Sequence, residues 1–369
     1  MSQDVNIGII GGGQLGRMLI QAAIPYPIKC HVYDPADQAP ARPFSQSFTQ
    51  GDFFDDDQLV SWAKGFDAVT YEIEHISVPA LKRLKEAGVR VIPDPAVLEM
   101  IQDKGTQKQF YSNHGIPTSS FVCVDKLHTR SFKEPKVMKL RRFGYDGRGV
   151  WVINKAADLE SVPDQPLVIE DKVDIWKECA VTVVRDKSQS IRLFPVVESV
   201  YDPNANLVDY LVCPADISND SEAQMNKIAK HIAIECDLEG ILAIEFFVTP
   251  AGEVFVNEMA PRPHNSGHHT IEAAYSSQFD QLIRVLLNMP LGSTECLFPA
   301  AMINILGPSS GESLDRNLIE LYKKPNWFVH LYGKNEWKPY RKMGHITVLS
   351  KNKADLKNEI MTIKEELNK

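Results

Sequence analysis

Two glutamates, Glu245 and Glu258, are the residues of this sequence best suited to bind a metal ion. Each lies within an apolar stretch (AIEFF and FVNEM), and the turn residues 250–252 between them predict a β-hairpin. We expect Glu245 to share a strand face with Ala243, and Glu258 to share one with Val256. Neighbouring carboxylates in apolar surroundings repel each other unless a cation lies between them. The hairpin therefore predicts a site for Mg²⁺, or Mn²⁺, carrying nucleotide phosphates, in preference to two glutamates on an exposed sheet.

The segment after the hairpin, APRPHNSGH, carries three polar side chains on a backbone that two prolines restrict. Arg262, His264 and Asn265 offer a guanidinium, an imidazole and an amide beside the predicted metal site. Such a set holds a small planar oxyanion in one orientation. A loop that is only rich in polar residues is the alternative, but prolines on both sides of Arg262 make this segment stiffer than such a loop requires.

A glycine-rich segment, FGYDGRG at residues 143–149, follows a strand that carries Lys139. Three glycines allow a flap to close on phosphates, and Lys139 and Arg148 supply positive charge. An ordinary hairpin turn, the alternative, does not require these basic residues. Further along, residues 170–173 (EDKV) end a strand and Glu178 opens the next one. This weaker pattern is typical of a segment that binds a nucleotide base and its ribose.

The most conspicuous motif is GxGxxG, formed by Gly11, Gly13 and Gly16 between an apolar strand and a helix. Asp34 ends the second strand, where a dinucleotide site places the acid that binds ribose. Nicotinamide binding is one interpretation of this pattern. Binding of another phosphate at the helix N-terminus is a second, and close packing of helix on strand is a third. The motif alone does not decide between them.

The elements that must position these residues fall into three units. Strands alternate with helices in the first unit, which predicts a parallel α/β sheet with its third strand over 67–76. In the second, a helix over 98–115 precedes antiparallel strands, including a long one over 190–201. The third, an α+β unit, holds short strands, a terminal helix and a basic cluster. The expected bounds are 1–97, 98–296 and 297–369.

That basic cluster comprises Lys334, Lys338, Arg341 and Lys342 and stands out in a protein of net charge −8. A phosphate site and a solvated face are equally good interpretations of it. The overall negative charge argues against nucleic acid as a partner. The N-terminus lacks the features of a signal peptide, and no apolar run approaches the ~18 residues of a membrane span, so we expect a cytoplasmic protein.

The cysteines have no spacing typical of a zinc site or a disulfide framework. None forms a CxxC pair, and none lies beside a histidine in the sequence at zinc-ligand spacing. We therefore expect buried free thiols and no zinc. The six residues are Cys30, Cys123, Cys179, Cys213, Cys236 and Cys296.

Taken in order, these motifs resemble a known family. The segments GGGQLGRM, TYEIEH, GYDGRG, IEDKV, AIEFF, NEMAPRPHNSGHH and YRKMGH resemble the N5-carboxyaminoimidazole ribonucleotide synthetases, the ATPase subunits of bacterial phosphoribosylaminoimidazole carboxylase, over residues 5–350. The resemblance implies a Rossmann-like N-terminal domain, a central ATP-grasp domain and a small β-rich C-terminal domain. It also implies a homodimer that uses ATP, bicarbonate and aminoimidazole ribonucleotide. Bicarbonate becomes carboxyphosphate, and the exocyclic amine of the ribonucleotide is carboxylated, giving ADP and phosphate in purine biosynthesis.

The resemblance also implies roles for individual residues. The Mg²⁺ ligands are Glu245 and Glu258. The bicarbonate and acceptor site comprises Tyr145, Asp146, Arg148, Arg262, His264 and Asn265. The ribonucleotide site comprises Gln14, Leu15, Glu72, Glu74, Lys334, Arg341 and Lys342. The ATP contacts are Lys104, Lys139, Gly144, Tyr145, Asp146, Gly147, Arg148, Gly149, Val150, Glu170, Asp171, Lys172, Val173, Glu178, Tyr201, Asn257 and Glu258.

Three positions depart from the family pattern. Tyr201 stands where the family commonly has histidine, Lys338 replaces an arginine of an RPGRK pattern, and Tyr340 replaces its glycine. Lysine removes a planar two-pronged phosphate contact. Two alternatives remain open: a formate-dependent glycinamide ribonucleotide transformylase of the same superfamily, and an NAD(P)-dependent oxidoreductase. A hydride-transfer enzyme has no use for a paired-glutamate metal site, which favours the ligase without a nicotinamide cofactor.

Overall fold

The N-terminal strands and helices alternate along the chain and form a parallel sheet in the order β3-β2-β1-β4-β5, as the sequence predicts. The structure is a computed structural model that describes residues 5–126, 135–144, 149–202, 207–308 and 318–367. Ile7 and Ile9 of the central strand are fully buried, since helices cover both faces of the sheet. The strands are β1 Val5–Ile10, β2 Ile28–Asp34, β3 Ser47–Gln50, β4 Ala68–Tyr71 and β5 Arg90–Val91; the helices are α1 Gln14–Ala23, α2 Asp56–Ala63, α3 Val78–Glu86 and α4 Pro95–Ile101.

The first glycine turn brings α1 against β1 and β2. A side chain at Gly16 would place its Cβ only 2.6 Å from the carbonyl oxygen of Gly11. Glycine at position 16 is therefore required for this close approach of helix and turn. The motif thus serves at least to pack the helix closely on the strand, which is one of the three interpretations of GxGxxG.

Two predicted elements of this region have different bounds. The strand expected over 67–76 ends at Tyr71, which leaves Glu72 and Glu74 in the following loop. The helix expected over 98–115 is two helices, because Asp103 caps a new one, α5, by accepting hydrogen bonds from the backbone of Gly105 and Thr106.

The middle of the chain forms a small four-stranded antiparallel sheet and most of a larger one. The small sheet has the order β6-β9-β7-β8. The long strand expected over 190–201 is two strands, since Pro195 between them lacks a backbone N–H for the ladder. The elements are α5 Lys104–Asn113, β6 Phe121–Val124, β7 Lys136–Leu140, β8 Val150–Ile153, β9 Leu167–Asp171, β10 Lys177–Arg185, β11 Ile191–Leu193, β12 Val197–Asp202, β13 Leu207–Cys213, α6 Asn219–Glu235, β14 Gly240–Val248, β15 Val254–Ala260, α7 Thr270–Ala273 and α8 Gln278–Leu286.

The C-terminal strands extend the larger sheet without interruption. Its order is β15-β14-β10-β12-β13-β16-β18-β17, with β11 paired to β10, and Tyr210 of β13 pairs with Ile303 of β16. No helix of the described ranges is long and apolar enough to cross a membrane. The C-terminal elements are β16 Ala300–Leu306, α9 Leu318–Leu321, β17 Trp327–Leu331, β18 Lys342–Leu349 and α10 Leu356–Leu367.

Candidate active site

A cleft of about 830 Å³ lies where the parallel sheet, the hairpin β14–β15 and the C-terminal segment before β18 meet. Residues that are far apart in sequence share its walls, as the sequence-based roles require. The predicted residues that line it are Gln14, Leu15, Glu72, Glu74, Lys104, Gly144, Tyr201, Glu245, Glu258, Arg262, His264, Asn265, Lys334, Arg341 and Lys342.

A β-bulge places the two predicted metal ligands together. Ile244 pairs with Met259 and Phe246 pairs with Val256, so Asn257 and Glu258 both lie opposite the single residue Glu245. The Asn257 amide lies 3.4 Å from a Glu245 carboxylate oxygen. The expectation that Glu258 shares a face with Val256 is wrong: Val256 is buried in the core, whereas Glu258 lines the cleft. Alternation along β15 fails at the inserted residue.

The pKa values of these two glutamates shift in opposite directions, as expected for neighbouring carboxylates that repel each other. Burial, and next the charge of Glu258, raise the pKa of Glu245 to about 8. Burial would also raise the pKa of Glu258, but the ammonium groups of Lys104 and Lys139 lower it to about 2. Lys104 forms an ion pair with Glu258 directly. Two carboxylates and an amide oxygen form a donor set that fits Mg²⁺, whose charge would relieve the repulsion at Glu245.

Glu170 lies in a buried ion-pair network beside the hairpin. Its two oxygens lie 3.0 Å from Lys139 and 2.9 Å from Lys108, and the Ser119 hydroxyl donates to it. Although burial opposes the charge, these lysines lower the pKa of Glu170 to about 2. Lys139 also donates to the Asn257 amide oxygen at 2.8 Å. The Glu170 carboxylate thus positions Lys139, which extends towards the hairpin β14–β15.

Lys108 is a site residue that the sequence analysis missed. It lies one helical turn after Lys104 on α5, so the two ammonium groups project from one face of the helix. That spacing is the signal that identifies it.

Glu178, Tyr201 and residues 171–173 occupy other positions around the hairpin. Tyr201 donates a hydrogen bond to Glu178, whose pKa burial raises to about 7. Asp171, Lys172 and Val173 line a separate depression of about 450 Å³. Gly149 and Val150 lie at the start of β8, outside the cleft wall. The predicted residues Tyr145, Asp146, Gly147 and Arg148 lie outside the described residues.

Arg262 connects the hairpin to the N-terminal sheet. One of its terminal nitrogens lies 2.8 Å from a Glu74 carboxylate oxygen, in the loop after β4. Its Nε is buried and has no hydrogen-bonding partner within the described ranges. A buried donor without an acceptor, at the wall of a cleft, is a position for a bound anion.

The polar residues after Arg262 are held by side chains that the sequence analysis did not single out. The Gln278 amide bonds both the backbone N–H and the carbonyl of His264, at 2.9 and 2.8 Å. Asn265 exchanges hydrogen bonds with Asn304 of β16. The C-terminal part of the sheet therefore orients directly the segment that carries His264 and Asn265, the predicted catalytic segment. Nothing in the local sequence of Gln278 or Asn304 indicates this, because both contacts depend on the tertiary fold.

The first glycine turn donates hydrogen bonds to two carboxylates from other segments, Asp34 at the end of β2 and Glu72 after β4. The backbone N–H of Gly13 donates to Glu72 at 2.5 Å, and those of Gly12 and Ala36 donate to the two oxygens of Asp34, each at 2.7 Å. Burial raises the pKa of Glu72 to about 7. Asp34, the residue on which the nicotinamide interpretation depends, is thus engaged at both oxygens with the turn itself.

The basic cluster divides into two parts. Lys334, Arg341 and Lys342 line the cleft, and Lys334 donates to Gln14 at 2.5 Å and to the backbone carbonyl of Lys342 at 2.7 Å. Lys338 points to solvent and pairs with Glu336 at 2.8 Å. Tyr340 has φ +60°, a conformation that glycine adopts readily and tyrosine rarely does. The phosphate-site interpretation therefore fits three of the four basic residues.

Comparisons with known proteins identify the domains that form this cleft. Three family models match consecutive parts of the chain: a ribonucleotide synthetase preATP-grasp domain (residues 5–102), an ATP-grasp domain (109–279) and a phosphoribosylaminoimidazole carboxylase C-terminal domain (300–359). The predicted architecture, with a Rossmann-like first domain, an ATP-grasp domain and a β-rich C-terminal domain, is confirmed by these matches.

Individual relatives are similar over nearly their whole length. The N5-carboxyaminoimidazole ribonucleotide synthase of Synechococcus elongatus is 36% identical over 93% of this chain and 89% of its own. The N5-carboxyaminoimidazole ribonucleotide synthetase structure from Thermotoga maritima is 39% identical, with a TM-score of 0.89 and 98% of each chain covered.

An Aspergillus clavatus N5-carboxyaminoimidazole synthase, solved with ADP and 5-aminoimidazole ribonucleotide, is 30% identical, with a TM-score of 0.91 over the full length of both chains. The motifs, the fold and these full-length likenesses agree. The chain belongs to the N5-carboxyaminoimidazole ribonucleotide synthase family of ATP-grasp ligases.

Proposed function

We propose that this chain is the ligase that carboxylates 5-aminoimidazole ribonucleotide at its exocyclic amine, with ATP and bicarbonate as co-substrates. The observation that carries the proposal is the single cleft that joins the Glu245–Glu258 pair to the Gly13–Glu72 turn through the Arg262–Glu74 ion pair. One end offers groups for a metal–nucleotide, and the other offers groups for an acceptor.

The reaction needs two bond exchanges. A bicarbonate oxygen attacks the γ-phosphorus of ATP, ADP leaves, and carboxyphosphate forms. The amine nitrogen then attacks the carbonyl carbon, phosphate leaves and the nitrogen loses a proton, giving the N5-carboxylated product. Phosphorylation is needed because bicarbonate is a poor electrophile, and carboxyphosphate hydrolyses readily, so the site must exclude water while the amine attacks.

On the ATP side, the hairpin and the lysines of α5 and β7 carry the proposal. Glu245, Glu258 and Asn257 would hold Mg²⁺, which supplies charge neutralisation for the transferred phosphoryl group. Lys104 and Lys139 lie close enough to this hairpin to contact phosphate oxygens. The segment 170–173 with Glu178, and the 144–150 flap, are the proposed contacts of the remaining parts of ATP; Tyr201 is included because it holds Glu178.

On the acceptor side, Arg262 orients the small oxyanion and the N-terminal turn binds the ribonucleotide. The buried, unpartnered Nε of Arg262 supports its assignment to bicarbonate or carboxyphosphate. His264 and Asn265 complete this set because Gln278 and Asn304 fix them. Lys334, Arg341 and Lys342 provide the positive charge for the ribonucleotide phosphate, with Gln14 and Leu15 at the start of α1.

The experiment is an ADP-release assay with product analysis. ADP release should require both bicarbonate and aminoimidazole ribonucleotide, and each ADP should accompany one carboxylated ribonucleotide. Formate with glycinamide ribonucleotide, and NAD⁺ with NADP⁺, test the two alternatives in parallel. Turnover with formate, or micromolar binding of a nicotinamide cofactor, would contradict the proposal.

Two further assignments complete the proposal. We propose a homodimer in the cytoplasm, which is an expectation from the family and from the sequence. Light scattering coupled to gel filtration would measure the mass of the assembly directly, and a monomer at assay concentration would contradict it.

A further inference from the structure

Three metal-ligating side chains that are scattered in the sequence meet at one point of the fold. They are Cys213, His269 and Cys296, and a ligand atom from each lies within 4.8 Å of the other two. The two cysteines are 83 positions apart, so no local spacing reveals the cluster. None of the three lines the catalytic cleft.

The three residues come from three separate segments. Cys213 is the last residue of β13, and His269 directly precedes α7, five positions after His264 of the catalytic segment. Cys296 lies in the connection that leads to the C-terminal strand β16, where it bridges to Ala274. The cluster therefore lies where the catalytic segment, the central sheet and the C-terminal strands meet.

The histidine is oriented as a metal ligand is. Its Nδ1 lies 3.1 Å from the backbone carbonyl of Ser266, which accepts a hydrogen bond from it and leaves the lone pair on Nε2. Nε2 has no hydrogen-bonding partner among the residues described, although the His269 side chain is 1% exposed. A buried polar nitrogen without a partner requires an explanation, and a bound ion supplies one.

The distance between the sulfurs fits a shared metal better than a bond. Cys213 Sγ and Cys296 Sγ are 3.6 Å apart. A tetrahedral ion with Zn–S distances near 2.3 Å separates two thiolates by roughly 3.8 Å, whereas a disulfide needs about 2.05 Å. Both cysteines are free in the structure, and Cys296 is the one partly open to solvent.

The charges of the cluster also suit a divalent ion. The contact with Cys213, and after it the neighbouring His269, lower the pKa of Cys296 although burial opposes this shift. Two thiolates and a neutral imidazole around a divalent ion form a complex without net charge. Such a complex avoids the cost of an uncompensated buried charge.

We propose that Cys213, His269 and Cys296 bind one zinc ion, with the fourth position open on the side of Cys296. A Cys₂His donor set with one open position is an established zinc geometry. The ion would tie the segment that carries His264 and Asn265 to the connection into β16. The ion would add a second link between these two segments, because Asn265 already forms a hydrogen bond with Asn304 of β16.

The first test is cobalt titration of the metal-stripped wild-type protein in the presence of excess Mg²⁺ and ADP. Thiolate-bound Co²⁺ gives a ligand-to-metal charge-transfer band in the near ultraviolet, whereas oxygen ligands at the hairpin give none. We expect the band to saturate at one Co²⁺ per chain and to disappear when Zn²⁺ is added. An absent band would overturn the proposal.

Variants identify the ligands. Cys296→Ser, whose site is partly exposed, should abolish the band without unfolding the chain, and His269→Gln should weaken it. Cys236→Ser is the matched control because Cys236 is a half-buried thiol outside the cluster, and it should leave the band unchanged. A band of wild-type intensity in Cys296→Ser would place the thiolate ligands elsewhere and overturn the assignment.

Two measurements distinguish a structural metal from a redox pair. Zinc should reduce hydrogen exchange in peptides covering residues 265–275 and 294–300 of the wild type, and not in Cys296→Ser. Non-reducing mass spectrometry of freshly purified protein should show two free thiols at Cys213 and Cys296. A Cys213–Cys296 disulfide that excludes zinc would contradict the metal site and identify a redox pair instead.

Discussion

Two pairs of carboxylates line the cleft, and they have different kinds of partner. At the first glycine turn, Asp34 and Glu72 accept hydrogen bonds from backbone N–H groups of residues 12, 13 and 36. On the hairpin, Glu245 and Glu258 are surrounded by side chains: the Lys104 ammonium, the Asn257 amide and the His264 ring. Backbone donors fix a carboxylate permanently, whereas flexible ammonium groups can be displaced by a metal ion.

The difference shows why the same residue type gives two kinds of site. The backbone N–H groups of Gly12 and Ala36 each occupy one acceptor position of the Asp34 carboxylate and fix it against the turn, although its position at the end of β2 matches a dinucleotide site. Burial, and next the charge of Glu258, raise the pKa of Glu245, and no backbone N–H of the described residues donates to its carboxylate. We therefore expect a carboxylate without such compensation to bind a ligand, and one that the main chain compensates to have a structural role.

The largest expected effect tests the hairpin pair. Glu258→Gln should lower the rate of ADP release at least about 100-fold, because a lost metal ligand costs several kcal/mol of charge stabilisation and each ~1.4 kcal/mol is tenfold. The assay uses saturating Mg²⁺ and ATP. Glu86→Gln, at an exposed position of α3, is the control and should retain full activity. Activity of Glu258→Gln within tenfold of the wild type would show that Glu258 is not a metal ligand.

Arg262→Lys tests the link between the two ends. Lysine keeps the charge but loses the planar fork, so it cannot hold Glu74 and a bound oxyanion at once. ATP affinity should be unchanged, whereas carboxylated product per ADP released should fall by about tenfold or more, with uncoupled ATP hydrolysis.

The matched comparison for this variant is Glu74→Gln, which breaks the same ion pair and leaves the guanidinium in place. It should lower ribonucleotide affinity and keep ATP and product tightly coupled. If Arg262→Lys keeps the wild-type rate and coupling, Arg262 serves only to join the hairpin to the N-terminal sheet.

The sequence predicted the fold class and the cleft because local patterns carry that information. The strand–turn–helix of GxGxxG and the hairpin of β14 and β15 each form as expected. The β-bulge could not be predicted, because one inserted residue leaves the composition of β15 unchanged while it moves Glu258 to the cleft face.

Contacts between distant segments were also beyond prediction. Gln278 and Asn304 act only through tertiary hydrogen bonds to the catalytic segment. The cysteines were expected to be buried, yet Cys123 is exposed, since β6 is an edge strand of the small sheet. The expectation that no zinc site exists depended on sequence spacing, which does not detect Cys213, His269 and Cys296.

A smaller effect, the dependence of metal affinity on pH, sharpens the comparison between the pairs. The pKa of Glu245 is raised to about 8, so at pH 7 this group mostly carries a proton, and a cation binds only its deprotonated form. Affinity should therefore rise with pH, about tenfold per unit below pH 8, and level off above it.

Manganese is the probe for this dependence, with free Mn²⁺ measured by electron paramagnetic resonance in the presence of ADP between pH 7 and 9. Glu245→Gln should flatten the curve. Glu72→Gln should not, because the pKa of Glu72, also raised to about 7, belongs to a group at the other end of the cleft. A curve that flattens only in Glu72→Gln would contradict this prediction, because the titrating group would then belong to the Asp34–Glu72 pair.

The smallest effect on activity is expected at Asp34, where stability should change instead. Asn at this position keeps one acceptor for Gly12 or Ala36 and turns an amide NH₂ towards the other N–H, which leaves a buried donor unsatisfied. The cost is about 1–3 kcal/mol of local unfolding free energy. Denaturant-dependent hydrogen exchange of peptides covering β1 and α1 measures it, with Asp37→Asn, at an exposed site of the same loop, as the control.

Activity should change little in the Asp34→Asn variant, because Asp34 contacts no substrate in the proposed reaction. The variant also keeps one of the two hydrogen bonds that Asp34 accepts, so kcat should stay within about threefold of the wild type. A variant that keeps its stability and loses activity would instead make Asp34 a ligand-binding acid, and the two carboxylate pairs would then be alike.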